Sequence, residues 1–501
     1  MALAWTLWFV FAGFGNHQDP LYWLYKYQHL EGGWMAVGTL LTGGAVVRIF
    51  GAELLPLRLF GWLCTVSAIA LPYCCLLDKE QRKKNLHWLA LTFLLTGYGT
   101  FQEFSPGTLT VLLLSTIWVT ASKSETGNLK SEIFTAILAG IAVSVRFPNI
   151  LVLLVLIPLW KKRSLWCLPV AAVAAAMVYG IGALLVTPAP VDAAMTSHDL
   201  WQMVTKLWTN AGMLVGFLLL GIGVLAIGKN FQSPLTGLII GLALVLYIAY
   251  ATQPAQWYNV EMTYLLSALC LVIALTSNPL TPNPLTYGAV ILMVATLGTD
   301  TAWLKLFPAV LCLLPVAAAQ HATPMRRYLW WVLLPVTMMV MVRHSTNSIG
   351  KNDLTQATTI SAISPYRGIA VTDAQEARIR QYKTDYEQLQ SQILNPKSET
   401  KNILALGQEN HLMRAVTGCQ AARYNEFWSN IYDSVYTAKY RPIIEEEQPV
   451  VFCSFSPQFK TKPEYKDRQS AMERMLREMG YTEIARTTFR YTIYIPERVK
   501  E

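Results

Sequence analysis

Gly15-Asn16-His17-Gln18-Asp19-Pro20 closes the first apolar segment of this 501-residue chain, residues 3–14. The stretch puts a carboxylate at the mouth of an expected membrane span. Ionisable groups in such places are costly to keep and tend to mark functional sites. The chain beyond Pro20 is not a simple polar loop. Tyr22, Trp23, Tyr25 and Tyr27 suit the headgroup level of a bilayer. Residues 34–50 are moderately apolar and carry Gly38, Gly43 and Gly44. The segment 15–54 therefore reads as a long outer loop with one or two helices lying along the membrane surface.

Outward from this loop the chain divides in two. Hydrophobic residues make up 53% of the sequence and charged residues only 14%, and the apolar excess is concentrated before residue 343. Apolar segments are expected at 3–14, 55–77, 86–101, 107–122, 133–146, 148–160, 166–187, 211–228, 234–251, 260–276, 285–299, 305–320 and 328–342. The fold class is then a polytopic α-helical membrane protein of about thirteen transmembrane helices, residues 1–342, followed by a soluble α/β domain, residues 343–501. Segments 133–146 and 148–160, split by Arg146-Phe147-Pro148-Asn149, form either a tight hairpin or one broken helix. The first segment lacks a cationic start and an Ala-x-Ala cleavage site, so it reads as a retained helix.

Orientation follows from the basic loops. Lys79, Arg82, Lys83, Lys84, Lys123, Lys130, Lys161, Lys162, Arg163, Lys229, Arg326 and Arg327 fall on one side if every segment spans. The positive-inside rule makes that side cytoplasmic. The N-terminus is then cytoplasmic and the C-terminal domain periplasmic or otherwise extracytoplasmic, in a bacterial inner membrane. Asp19, Glu31, Glu53, Glu103, Asp192, Asp199, Glu261 and Asp300 fall on or near the outer side, so carboxylate chemistry is expected there. The net charge of +9 is accounted for by these loops and implies no nucleic-acid partner.

In the C-terminal domain, 368–372, 402–406 and 449–455 have strand character. Residues 374–394 and 469–479 have helical spacing, with Asp373 as a possible cap, and 482–496 alternates as a strand or hairpin. No phosphate-binding glycine loop, His-Glu-x-x-His or Gly-x-Ser-x-Gly occurs. The domain is therefore expected to act as a lid, scaffold or acceptor-binding part. Most of the eight cysteines lie in apolar segments; Cys419 and Cys453 are the two that could pair in an oxidising compartment.

A short first span, an outer loop that opens with an acidic residue, surface helices, and then Phe50-Gly51-Ala52-Glu53-Leu54-Leu55-Pro56-Leu57-Arg58-Leu59 entering the second span together resemble the GT-C glycosyltransferases. The lipid A aminoarabinose transferases and protein O-mannosyltransferases are the nearer relatives by this pattern, and the oligosaccharyltransferases more distant. Many members carry two adjacent acidic residues in the first loop; here Gln18 precedes a lone Asp19. The resemblance implies a membrane enzyme that takes a sugar from a polyprenyl-phosphate-linked donor to a lipid, glycan or protein acceptor. It implies Asp19 as catalytic base and Glu103 as a second carboxylate. The pair would also be the oxygen ligands if a magnesium or manganese ion is bound. Arg58, Arg146 and Lys206 are the outer cations suited to a leaving phosphate. His198, Tyr258 and Glu261 are further candidates for the substrate site, and His17, like His198, is a candidate ligand. A transporter or flippase for a lipid or small solute, and a non-catalytic scaffold that kept the fold, are the alternatives from other classes.

Overall fold

The structure is a computed structural model. It describes residues 1–13, 19–96, 104–124, 129–160, 163–188, 200–251, 260–276, 284–296, 302–346, 354–393, 402–407, 410–417, 433–454, 468–486 and 492–496. The described residues up to 346 are mostly helical. α1 (Ala2–Phe11) is followed by the two loop helices α2 (Asp19–His29) and α3 (Val37–Phe50). Then come α4 (Leu54–Leu76), α5 (Lys79–Leu95), α6 (Pro106–Ser124), α7 (Leu129–Val145), α8 (Leu151–Trp160) and α9 (Ser164–Leu185). The series continues with α10 (Leu200–Asn230), α11 (Pro234–Ala251), α12 (Val260–Thr276), α13 (Pro284–Met293), α14 (Ala302–Leu311), α15 (Leu314–Gln320) and α16 (Thr323–Thr346).

Each of the thirteen expected apolar segments falls on helix, but their lengths differ from full spans. Among the described residues, Leu54–Leu76, Leu165–Leu185 and Gly212–Asn230 are long and apolar enough to cross a membrane; eight shorter apolar helices have 10–17 residues, and α16 has 24. A ten-residue helix reaches only about 15 Å, half the hydrocarbon thickness of about 30 Å. The segment expected at 305–320 is not continuous. It breaks at Cys312–Leu313, where Pro315 enters the first turn of α15 and cannot extend the preceding helix. Residues 133–160 form two helices, α7 and α8, joined by a 3₁₀ turn at Phe147–Ile150.

The helices pack at points where side chains are missing. A Cβ at Gly140 of α7 would lie 2.1 Å from the Ala171 carbonyl oxygen of α9, and one at Gly237 of α11 2.5 Å from that of Tyr328 in α16. Without hydrogen in those places the helix backbones could not approach so closely. The outward surfaces are apolar: α9 exposes Leu165, Trp166, Met177 and Leu184, and α11 exposes Leu235, Ile239, Leu242 and Leu246. Such a surface suits lipid rather than water.

Residues expected to share an end of the bundle do meet. Arg326 Nη1 donates to Asn85 Oδ1 at 2.9 Å, and Arg163 pairs with Glu132 at 3.0 Å. At the opposite end of α4, about 34 Å away by its 23 residues, Leu54 N donates to Pro365 O at 3.0 Å.

After the short pair β1 (Glu31–Gly32) and β2 (Thr187–Pro188), the C-terminal part carries β3 (Thr359–Ile360), β4 (Ala370–Val371) and α17 (Asp373–Ile393). Next come β5 (Ile403–Gly407), α18 (Asn410–Thr417), α19 (Asp433–Glu447), β6 (Val450–Ser454), α20 (Arg468–Glu478), β7 (Tyr481–Arg486) and β8 (Thr492–Pro496). The sheet order is β5-β6-β8-β7, with β5 and β6 parallel and the other two pairs antiparallel. Parallel β5 and β6 need a helical crossover, which α18 and α19 supply. The cap of α17 is Thr372 rather than Asp373. Thr372 Oγ1 accepts from Gln375 N at 3.3 Å, and Gln375 Oε1 accepts from Thr372 N at 3.0 Å, the reciprocal capping box. Asp373 instead accepts from the Thr359 hydroxyl.

Cys453 is a free thiol, fully buried in β6, and burial raises its pKa. Cys419 lies outside the described residues. A buried, protonated thiol is a poor nucleophile. Cys453 should therefore resist iodoacetamide in the native protein and be alkylated on unfolding without reductant. Modification that appears only after reduction would mean it is disulfide-bonded.

Candidate functional site

The site is built where the first loop meets the C-terminal part. α1 ends at Ala12, which turns extended and bridges to Ala370; Gly13, at φ +91°, donates its N–H to the Ala370 carbonyl at 2.8 Å. Only glycine adopts that backbone angle without strain. Beneath this junction lies Arg58, 0% exposed. Its Nη1 donates to Gly13 O at 3.0 Å and Val10 O at 3.4 Å. These carbonyls belong to the end of α1, where the helix leaves acceptors unmet. Arg58 thus grips the stem from which the Asp19 loop departs. Glu53, five residues earlier, faces Arg367 at 3.8 Å.

Residues 14–18, with His17, lie outside the described set. Asp19 is the first residue of α2, directly before Pro20, a placement that suits a helix start because proline has no N–H to satisfy there. The Asp19 side chain is not among those described. α2 buries Leu21, Leu24 and Tyr27. The Tyr27 hydroxyl donates to Phe104 O at 2.9 Å, and the rings lie 5.7 Å apart. Glu103 itself lies outside the described residues, yet its chain neighbour is held by the helix that Asp19 opens. α3 crosses close to α2 because Gly43 and Gly44 leave room for Tyr27 and Leu30. Thr39 of α3 donates to Val145 O at 3.0 Å. The next residue, Arg146, donates from Nη1 to Ala295 O at 2.7 Å and is half-buried. The structure therefore packs α2, which Asp19 opens, against Phe104, and α3 against Val145, the residue before Arg146.

The remaining candidates are less closely tied to it. Lys206 sits in α10 and Glu261 is the second residue of α12; these two helices pack on each other, and neither side chain is described. His198 and Tyr258 lie outside the described residues. Among the described residues no three His, Cys, Asp or Glu side chains gather as a metal cluster.

Sequence reasoning missed two cations. Lys26 is 6% exposed, with Nζ 4.4 Å from the Tyr22 ring centroid. It lies seven residues after Asp19, so positions 19, 22 and 26 follow one face of α2. Arg414 of α18 is 5% exposed, its guanidinium 3.8 Å from the centre of the Tyr25 ring. Tyr25 Oη meets Glu31 Oε2 at 3.4 Å, and the His29 ring is 4.4 Å from that of Tyr25. Partial burial, then the positive Arg414, lower the His29 pKa below its ordinary value; burial raises that of Tyr25, helped by Glu31 and opposed by Arg414. Glu31 and Gly32 pair in parallel with Thr187 and Pro188, closing the loop from the other side. The aromatic run on α2 was the local signal for Lys26. Nothing near Arg414 in sequence points to α2, because the two are joined only across the fold.

No family model matches the chain, and no curated protein matches it. Among solved structures it is similar to ArnT from Cupriavidus metallidurans in the apo state, at 11% identity and a TM-score of 0.44, covering 98% of this chain and 96% of that one. It is similar likewise to ArnT from Cupriavidus metallidurans bound to undecaprenyl phosphate, at 12% identity, a TM-score of 0.44 and the same coverage.

Proposed function

We propose that the chain is an integral membrane glycosyltransferase. It moves a sugar from a polyprenyl-phosphate-linked donor to a lipid, glycan or protein acceptor at the outer face of the membrane. The observation that carries this reading is the Tyr27–Phe104 hydrogen bond. It ties the helix opened by Asp19 to Phe104, the residue after Glu103, and in this reading the two carboxylates, from separate loops, serve one site. The GT-C-like pattern of the first loop supports the same assignment.

In this reading an acceptor hydroxyl or amide attacks the anomeric carbon. A new bond forms to the sugar, the bond from that carbon to the lipid phosphate oxygen breaks, and the phosphate leaves with the electron pair. Asp19 takes the acceptor proton. Arg146, Lys26 and Lys206 are the cations available to the negative charge that grows on the leaving phosphate. Arg58, closed off by the α1 carbonyls, acts as a positioning residue for the Asp19 loop. A magnesium or manganese ion would take oxygen ligands from Asp19 and Glu103, a donor set those hard cations accept; the proton transfer assigned to Asp19 does not depend on it. The C-terminal part, through Arg414 and α18, covers α2 as a lid.

The test is donor consumption by purified protein reconstituted with a panel of labelled polyprenyl-phosphate sugars and mixed acceptors. Release of the lipid phosphate with transfer of label is the expected result. A folded protein that turns over none of the donors overturns the transferase reading in favour of a transporter or scaffold.

A further inference from the structure

At the end of the bundle away from this site lies a cavity of about 620 Å³ between α5 and the start of α16. Lys84, His87, Arg326 and Arg327 line it together with Trp330 and Trp331, and none of its described lining residues is acidic. Arg326 is held in place by two bonds, to Asn85 Oδ1 at 2.9 Å and Thr323 Oγ1 at 3.0 Å, and neither partner carries a charge. Lys84 pairs with Glu80 on its own helix, in the open. Arg327 is exposed and makes no hydrogen bond or ion pair among the described residues. The floor is aromatic: Trp330 meets His87 at 4.9 Å and Trp88 at 5.5 Å, both edge to face.

We infer that this cavity binds the phosphate headgroup of an anionic glycerophospholipid, its acyl chains lying along α16. The occupant is argued from two features that meet at one place. The cup carries an excess of positive charge, with guanidinium groups suited to a phosphate. From its rim an exposed apolar strip, Trp331, Met338 and Val342, runs along one face of α16. A free phosphate would have no use for that strip, and an acyl chain alone none for the cations. Tryptophan and arginine together are the residues of the headgroup level, and a basic pocket between helices is a known way of holding anionic lipid. The site lies on the face that the positive-inside rule makes cytoplasmic and does not rest on the transferase reading.

The experiment is native mass spectrometry of delipidated protein offered dioleoylphosphatidylglycerol or dioleoylphosphatidylcholine in detergent. Wild type is expected to retain the anionic lipid in preference. Each cation near a charged lipid is worth about fivefold in binding, so Lys84→Gln/Arg327→Gln should lose about 25-fold of that preference. Among the described residues neither bonds to another helix, so the Arg326–Asn85 link between α5 and α16 stays intact; the single Arg327→Gln variant repeats the test at about fivefold. Millimolar inorganic phosphate should leave the lipid adduct in place. An unchanged preference in the variants overturns the site. Displacement of the adduct by phosphate alone makes it a free-anion site and overturns the lipid.

Discussion

Replacing Asp19 with Asn is expected to lower sugar transfer by about 10²- to 10⁴-fold, the range for loss of a positioned general base, with the fold unchanged. Asparagine has the shape of aspartate and serves equally well at a helix start, so α2 should still begin at residue 19. It cannot take up a proton from an acceptor hydroxyl. The substitution therefore separates chemistry from architecture. Thermal unfolding of the variant should match that of wild type within about 0.5 kcal/mol, since Asp and Asn are equivalent at a helix start. The measurement is the reconstituted donor-consumption assay, run with the variant beside wild type. Equal rates would remove Asp19 as base and pass the role to Glu103, whose Gln variant should then carry the large loss.

The largest stability effect is expected at Arg58. Arg58→Ala should cost about 2–5 kcal/mol, from a penalty of about 1–3 kcal/mol for each buried carbonyl left without a donor. The guanidinium is fully enclosed and holds two carbonyls at the end of α1, each of which would be left without this donor. Because Gly13 next to it bonds to Ala370, the seam between α1 and the C-terminal part should loosen as well. Limited proteolysis should then cut near residue 13 faster than in wild type. Arg58→Lys keeps the charge, but its single ammonium lacks the planar fork and should recover only part of the loss. If Arg58 instead contacts the donor phosphate, the alanine variant would keep wild-type stability and show a raised KM. That outcome would retire the positioning role.

The two substitutions probe different levels of the molecule. Asp19 drew attention by its place in the sequence, a carboxylate where a span ends. The role of Arg58 is a product of folding. From sequence it is a cation three residues into an apolar segment, equally suited to snorkelling, to Glu53 or to a phosphate. The carbonyls it meets lie 45 and 48 residues earlier, and Glu53 turns to Arg367.

The same division runs through the whole chain. Hydrophobic segmentation determined where the helices lie, because an α-helix closes its hydrogen bonds within four residues and an apolar run supplies the rest. The distribution of basic residues grouped the loops by side, and two contacts, Asn85 with Arg326 and Glu132 with Arg163, are consistent with that grouping. Alternation in the last third of the chain determined its α/β character. The tertiary structure alone decided how far each helix runs, where 305–320 breaks, that Thr372 rather than Asp373 caps α17, and that Glu31–Gly32 pairs with Thr187–Pro188. It alone set Arg414 on Tyr25 and Tyr27 on Phe104. The physical reason is range. Periodicity and charge sign act through near neighbours and the surrounding solvent, whereas a buried polar group takes whichever partner packing delivers, and no local pattern encodes a partner that lies 77 or 241 residues away.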